Sequence, residues 1–368
     1  LRISEKLSMN SRWRLIAYLA LAAVLLAAPL YLSDFRLSLL AKFLAYAILA
    51  VGLDLIWGYT GILSLGQGVF FGIGAYCMAM YLKLEATGGK LPDFMQWSGV
   101  TSLPWWWQPF HYMWVAVLLA VLLPMLLAAL LGWFTFRNRI KGVYFTILTQ
   151  ALVIIMTTLL IGQQGYTGGT NGITNFSTVL GNPISEPGTR LSLYFITLFA
   201  LIGVFLLCRW LVTSRFGQVL RAIRDGENRV RFLGYDPAAY KIFVFSVSAG
   251  IAGMAGMLAV YHVGIIAPSM IGIVPSIEMA LWVAIGGRGT LIGAVIGALA
   301  LNWGKSLFSE AYPDMWPYFM GLMLILVVVL LPRGIVGLAD SLRKLAVRRR
   351  KHGERAGGNL PVIRESDG

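Results

Sequence analysis

The residues of this chain that could do chemistry are few, and most sit where charge is costly. Asp54, Glu278 and Arg288 each lie within or beside an otherwise apolar run. Ionisable side chains in such runs mark solute or ion paths, unless they form structural ion pairs. Glu278 and Arg288 are ten residues apart, ~15 Å along a helix, so each is expected to find its partner elsewhere. Covalent chemistry is poorly served. Gly304-Lys305-Ser306 ends like a phosphate-binding loop, but Leu299 stands where its first glycine must be. His111, His262 and His352 are isolated, and neither HExxH nor GxSxG occurs. No catalytic residue, metal, cofactor or nucleotide site is expected, and no intramembrane hydrolase. What remains is an apolar frame that holds a few polar groups.

That frame dominates the composition. Of 368 residues, 58% are hydrophobic and 12% are Asp, Glu, Lys or Arg, about half the charge of a soluble domain. The net charge of +14 would suggest nucleic acid in a soluble protein, but a mean hydropathy of +0.74 excludes that for the bulk of the chain. Candidate membrane spans run over 15–32, 37–57, 66–82, 112–133, 143–161, 191–211, 241–262 and 318–331. The stretch 270–304, interrupted by Gly286-Gly287-Arg288-Gly289-Thr290, reads as two abbreviated segments, giving about ten in all. Continuous rather than alternating apolar runs argue against a strand barrel. The predicted fold is an all-α, polytopic helical membrane bundle.

Its orientation follows from the cations. Arg36, Lys83, Lys90, Arg190 and Lys305 fall in the alternate loops 33–36, 83–111, 162–190 and 305–317, and Lys42 and Arg288 lie within apolar stretches. The other 23 of 30 comprise four in 1–14, three in 134–142, seven in 209–241 and nine from 333 onward. The positive-inside rule places these segments, and both termini, in the cytoplasm. Two cytoplasmic termini need an even number of crossings, which supports dividing 270–304. The domain plan is a basic N-terminus over 1–14, a membrane domain over 15–338, and a basic, disordered tail over 339–368. The run Arg348-Arg349-Arg350-Lys351 in that tail suits lipid headgroups. The segment 15–32 reads as a retained helix rather than a signal peptide, because its loss would remove four cytoplasmic cations and break the parity. Cys77 and Cys208 read as free buried thiols.

Two elements go beyond a generic bundle. The first is a pair of glycine-rich breaks, Gly58 to Gly68 and Gly286 to Gly289. Non-helical backbone at membrane depth is tolerated only when buried in protein or lining a cavity, and one break in each half is a transporter pattern. Close packing is the competing account, since Gly68/Gly72, Gly289/Gly293 and Gly293/Gly297 are spaced as GxxxG. The second element is a helical repeat of Phe216, Val219, Leu220, Ile223, Val230 and Leu233 with basic residues between them. Periodicity favours a helix on anionic lipid, with docking of a soluble partner as the alternative.

Several stretches resemble the permease subunits of ABC transporters in the branched-chain amino-acid (LivM-like) group, and within it the urea-type, UrtC-like branch. They are WGYTGILSLGQGVFFGIGAYCMAMYL (57–82), RIKGVYFTILTQAL (139–152), GGTNGITNF (168–176), SRFGQVLRAIRDGENRVRFLGYDPAAYKIFVFSVSA (214–249), IEMALWVAIGGRGTLIGAVIGA (277–298) and LPRGIVGL (331–338). The RFLGY and YK residues near 231–241 and the loop 91–110 point to the urea branch. The resemblance implies a multi-pass subunit in the inner (plasma) membrane of a bacterium. It also implies a second permease subunit, cytoplasmic ATP-binding subunits and a periplasmic or extracellular solute-binding protein as partners. It makes the helix at 216–233 the coupling element, with Arg221, Ala222, Ile223, Arg224, Asp225 and Gly234 at the docking position. Gln67 replaces the histidine usual in the family's SLGHG stretch, so a titratable role there is in doubt.

For urea or a small amide, the path needs hydroxyl, amide and aromatic groups rather than formal charge. Tyr59, Thr60, Ser64, Gln67, Phe71 and Tyr76 near the first break are the candidates, beside Asp54, Glu278 and Arg288. Hydroxyls bonded to their own helix and aromatics in ordinary packing are the competing account. The Gly/Thr-rich loop 162–190 faces the binding protein or is a flexible connection, and Pro104-Trp105-Trp106-Trp107 reads as an interfacial anchor. Branched-chain or neutral amino acids are the alternative cargo. An ATP-independent transporter or channel is the alternative mechanism.

Overall fold

The computed structural model describes residues 20–140 and 142–315, with positions 318, 319, 321, 322 and 325. The basic N-terminus, most of the span expected at 318–331, the LPRGIVGL stretch and the tail lie outside the described residues. An apolar helix α1 (Ala20–Leu30) precedes α2 (Asp34–Thr60), α3 (Gln67–Ala86) and a short α4 (Asp93–Trp97). Then follow α5 (Met113–Arg137), α6 (Val143–Gly162), the one-turn α7 (Gln164–Thr167), α8 (Pro187–Thr213), α9 (Arg215–Phe232) and α10 (Pro237–Val263). The glycine-divided region gives α11 (Ile273–Gly286) and α12 (Leu291–Ala311). Among the described residues eight helices are long and apolar enough to cross a membrane. This is a polytopic helical bundle.

Burial sorts the helices. α2, α3 and α10 are mostly enclosed, whereas α5 and α6 turn most of their surface outward, as helices facing hydrocarbon must. α10 is the central post and packs on α2, α3 and α5. Small residues permit this: a Cβ on Gly250 would meet Met125 of α5, and Ala249, Ala252 and Ala255 are fully buried. Its start is fixed by Asp236, whose side chain accepts the Ala238 N–H at 3.0 Å, with Pro237 in the first turn. The Tyr194 hydroxyl of α8 donates to the Leu25 carbonyl at 2.6 Å, pinning α1 to the bundle.

Four expectations change. The first break is shorter than the glycine pattern implied: α2 continues to Thr60, capped by Gly61 at φ 77°, and the chain is non-helical only over 61–66. The region 270–304 does divide at its glycines, but only α11 is abbreviated, at 14 residues. α12 runs 21 residues to Ala311, past Lys305, which the sequence placed in a loop. The loop 162–190 is no free strap. Its strand β1 (Ile173–Thr174) precedes a small hairpin of β2 (Thr178–Val179) and β3 (Asn182–Pro183), and β1 pairs with β4 (Ile265–Ile266) beyond α10. Nor do the tryptophans form a uniform anchor: Trp105 is exposed, Trp107 is fully buried, and Trp106 packs edge-on against Tyr166 at 5.5 Å.

Candidate functional site

The two glycine breaks meet. Asp54, one and a half turns before the end of α2, is fully buried, and its Oδ1 accepts the Gly289 N–H at 2.7 Å. The Tyr59 hydroxyl donates to the Gly289 carbonyl at 3.0 Å. Gly289 has φ 74°, a conformation that favours glycine. Gly58 faces it so closely that a Cβ there would lie 2.7 Å from the Gly289 Cα. The Arg288 guanidinium stands over the Trp57 ring at 4.9 Å. Asp54 and Arg288, singled out separately in the sequence, therefore belong to one junction.

The amphipathic helix closes onto this junction. Arg224 of α9 donates through Nη1 to the Gly58 carbonyl at 2.8 Å and through Nε to Asp225 at 3.0 Å. Leu220, Ile223 and Val230 are buried against the bundle, and Phe216 stacks on Tyr240 with centroids 5.4 Å apart. Most of the apolar face favoured for lipid is thus covered by the protein's own helices, with Leu233 left exposed. Beyond a kink at Gly226, Glu227 accepts from Lys241 at 2.7 Å and from Arg231 at 3.4 Å. A cavity of about 530 Å³ lies beside the kink, lined by Gly61, Ile62, Phe136, Phe145, Arg224 and Lys241. Arg221 is half-buried and Ala222, Asp225 and Gly234 are exposed. The helix ends in exposed apolar residues, Phe232 at 92% and Leu233 at 76%.

Within the first break the polar groups mostly serve the fold. Thr60 bonds the Ile56 carbonyl of its own helix at 2.6 Å, and the Ser64 hydroxyl accepts the Gly66 N–H at 3.3 Å. Thr149 and Thr146 of α6 satisfy the Leu65 N–H and the Leu63 carbonyl. Gln67 donates to the Ser248 hydroxyl at 3.2 Å, which donates to the Gly52 carbonyl at 2.6 Å. The Gln67 Oε1 and the Tyr76 hydroxyl are buried with no partner among the described residues. Tyr76 lines a mostly apolar cavity of about 710 Å³ with Trp106 and Gln163.

A second polar centre lies between α2, α3, α11 and α12. There a cavity of about 250 Å³ is lined by Lys42, Tyr46, Phe71, Glu278, Trp282, Asn302 and Lys305 among others. Lys305 donates to both Glu278 oxygens at 2.8 Å. Tyr46 stacks on Trp282 with centroids 5.0 Å apart, and the Lys42 ammonium stands 5.8 Å from the Tyr46 centroid. Of the sequence candidates only Glu278 and Phe71 line this cavity. Lys42 was visible as a cation in an apolar run, whereas Lys305, Tyr46, Trp282 and Asn302 carried no signal of their own.

These features define a multi-helix membrane protein whose helices are broken at two glycine-rich points and braced by one amphipathic helix. The sequence profile of the family described as "Branched-chain amino acid transport system / permease component" matches residues 35–328, and the chain belongs to that family. It is 24% identical over 349 residues to the high-affinity branched-chain amino acid transport system permease protein LivM of Salmonella typhimurium, covering 89% of this chain and 76% of the relative. It is 25% identical over 353 residues to LivM of Escherichia coli, covering 90% and 76%. To the permease protein BraD of Pseudomonas aeruginosa it is 24% identical over 312 residues, covering 79% and 91%. No solved structure matches the chain.

Proposed function

We propose that this chain is a membrane-spanning permease subunit of an ATP-driven importer for a neutral, branched-chain-type amino acid. It works in the inner (plasma) membrane of a bacterium. The observation that carries the reading is the family match over 35–328, together with relatives whose names specify branched-chain amino acid transport. Both LivM and LivH proteins are similar to this chain, which supports a pair of related permease subunits around one path. A solute-binding protein delivers cargo from outside, and cytoplasmic ATP-binding subunits supply the energy.

In this reading α9 is the docking element for the ATPase. Its buried Ile223 anchors it, and Arg224 connects it to the glycine junction. Arg221, Ala222, Asp225 and Gly234 lie about its outer side, and the exposed Phe232 and Leu233 give a partner apolar surface. The path residues are Glu278 and Phe71 at the polar cavity. Ser64, Gln67 and Tyr76 line the bundle interior, and Asp54, Tyr59, Thr60 and Arg288 act at the junction.

Urea was the first expectation from the sequence, and the relatives back the amino-acid alternative better. The segments that pointed to urea, 231–241 and 91–110, form the α9–α10 corner and the region around α4, and none of their residues lines the polar cavity. Uptake of labelled leucine and labelled urea, in cells with and without this gene, tests the choice. Gene-dependent leucine uptake is expected. Gene-dependent urea uptake with leucine unchanged would overturn it.

A further inference from the structure

The cavity between α2, α11 and α12 carries an excess of positive charge. Two lysines, Lys42 and Lys305, line it with one carboxylate, Glu278. Lys305 is held by both Glu278 oxygens at 2.8 Å. Lys42 makes no hydrogen bond or salt bridge among the described residues; the Tyr46 ring lies 5.8 Å away, and Glu278, whose charge it also feels, is already held by Lys305. A cation in a membrane segment is costly unless something compensates it, so a cavity where two ammonium groups share one carboxylate suits a further anion. Trp282 also lines the cavity, and its Nε1 is buried with no partner among the described residues. Phe43, Phe71, Met270 and Met279 give the wall its apolar part, and Asn302, Ser306 and Ser309 add neutral polar groups. The volume of about 250 Å³ lies below the ~300–1,000 Å³ of drug-sized sites, as a single small solute requires. Lys42 also lines a neighbouring cavity of about 400 Å³ beside Arg190 and His262, and with Leu39 it forms the wall common to the two.

We propose that this cavity is a solute site in which Lys42 receives a carboxylate, the Glu278–Lys305 pair faces the solute's ammonium group, and the Tyr46–Trp282 face holds an aliphatic side chain. This deepens the amino-acid reading and rests on it. It explains why two cations are placed where a neutral amide would need none.

The test uses a thiol reporter. Both native cysteines, Cys77 and Cys208, are buried, so S309C at the cavity wall gives one accessible thiol in right-side-out vesicles carrying the whole transporter. Its maleimide labelling is followed with leucine, with 4-methylpentanoate (carboxylate only), with isoamylamine (ammonium only) and with urea. Leucine and 4-methylpentanoate should slow labelling, while isoamylamine and urea should not. Adding K42Q should weaken the protection by about ten- to a hundred-fold in ligand concentration, and K42R should largely restore it. Protection by urea or isoamylamine alone, or equal protection after K42Q, overturns the proposal. So does a thiol that becomes reactive only when lipid is removed, because the anion on Lys42 is then a headgroup. Leucine uptake measured in parallel separates the two failures: uptake that depends on the chain without protection refutes only the site.

Discussion

The Arg224 guanidinium donates to the Gly58 carbonyl oxygen at 2.8 Å, joining the amphipathic helix to the end of α2. Gly58 is itself pressed against Gly289, so one side chain reads the position of both glycine breaks. The carbonyls of a helix's last turn lack helical partners, and a cation is a favourable one. A displacement of α9 would therefore bear on α2 and on the α11–α12 turn together, through this hydrogen bond and the Gly58–Gly289 approach.

Arg224→Ala should uncouple transport from ATP hydrolysis. A hydrogen bond from a charged donor is worth about 1.5–3 kcal/mol, and less here because the Arg224 side chain is 39% exposed. The fold should survive, since Leu220 and Ile223 still anchor α9. In the reconstituted transporter, solute uptake should fall by about ten-fold while the subunits still co-purify and ATP hydrolysis persists. Unchanged uptake per ATP would remove Arg224 from the coupling route.

Gly58→Ala should destabilise the junction. Its Cβ would fall on the Gly289 backbone and 2.5 Å from the Asp54 carboxylate, and neither can move without opening the junction. Overpacking of this kind costs about 1–3 kcal/mol. Gly203→Ala in α8 is the control, because nothing lies within 4 Å of its added methyl, and alanine is the better helix former by about 1 kcal/mol. Thermal melts in detergent should show a lower midpoint for the first variant and an unchanged or higher one for the second.

Asp54→Asn should be tolerated where Asp54→Ala is not. One carboxylate oxygen accepts the Gly289 N–H, and the other is buried with no partner among the described residues. Asparagine keeps an acceptor for Gly289, whereas alanine leaves its half-buried N–H without one, at a cost of about 1 kcal/mol. Expression level and melting midpoint should follow wild type ≈ Asn > Ala. Loss of transport in Asp54→Asn with normal stability would show that the negative charge itself is used.

What the sequence reveals here is local, and what it hides is tertiary. Apolar runs gave the helices, and Gly286 to Thr290 marked a true break, because conformation at glycine is decided within a few residues. Asp54 and Arg288 stood out because charge in an apolar run is conspicuous. Their shared junction did not, since Asp54 meets Gly289 across 235 positions and no periodicity spans that distance. The amphipathic repeat of α9 was visible, but an apolar face looks the same whether lipid or protein covers it. Lys305 was misplaced because a lysine normally ends a membrane helix; here Glu278, a turn into the neighbouring α11, neutralises it and α12 continues.

That pairing yields a quantitative test. Glu278 is 11% and Lys305 36% exposed at the side chain, so their coupling should lie between that of a surface pair, about 0.2–1 kcal/mol, and the 3–5 kcal/mol lost when a buried pair is broken. A double-mutant cycle with Glu278→Gln and Lys305→Gln, read by denaturation in detergent, should give about 1–2 kcal/mol. The single variants should differ in kind. Glu278→Gln leaves two lysines with no carboxylate between them and should destabilise more than Lys305→Gln, which leaves Glu278 within reach of Lys42. A coupling near zero, with equal single effects, would mean that the two groups are solvated separately and that the cavity does not hold them as a pair.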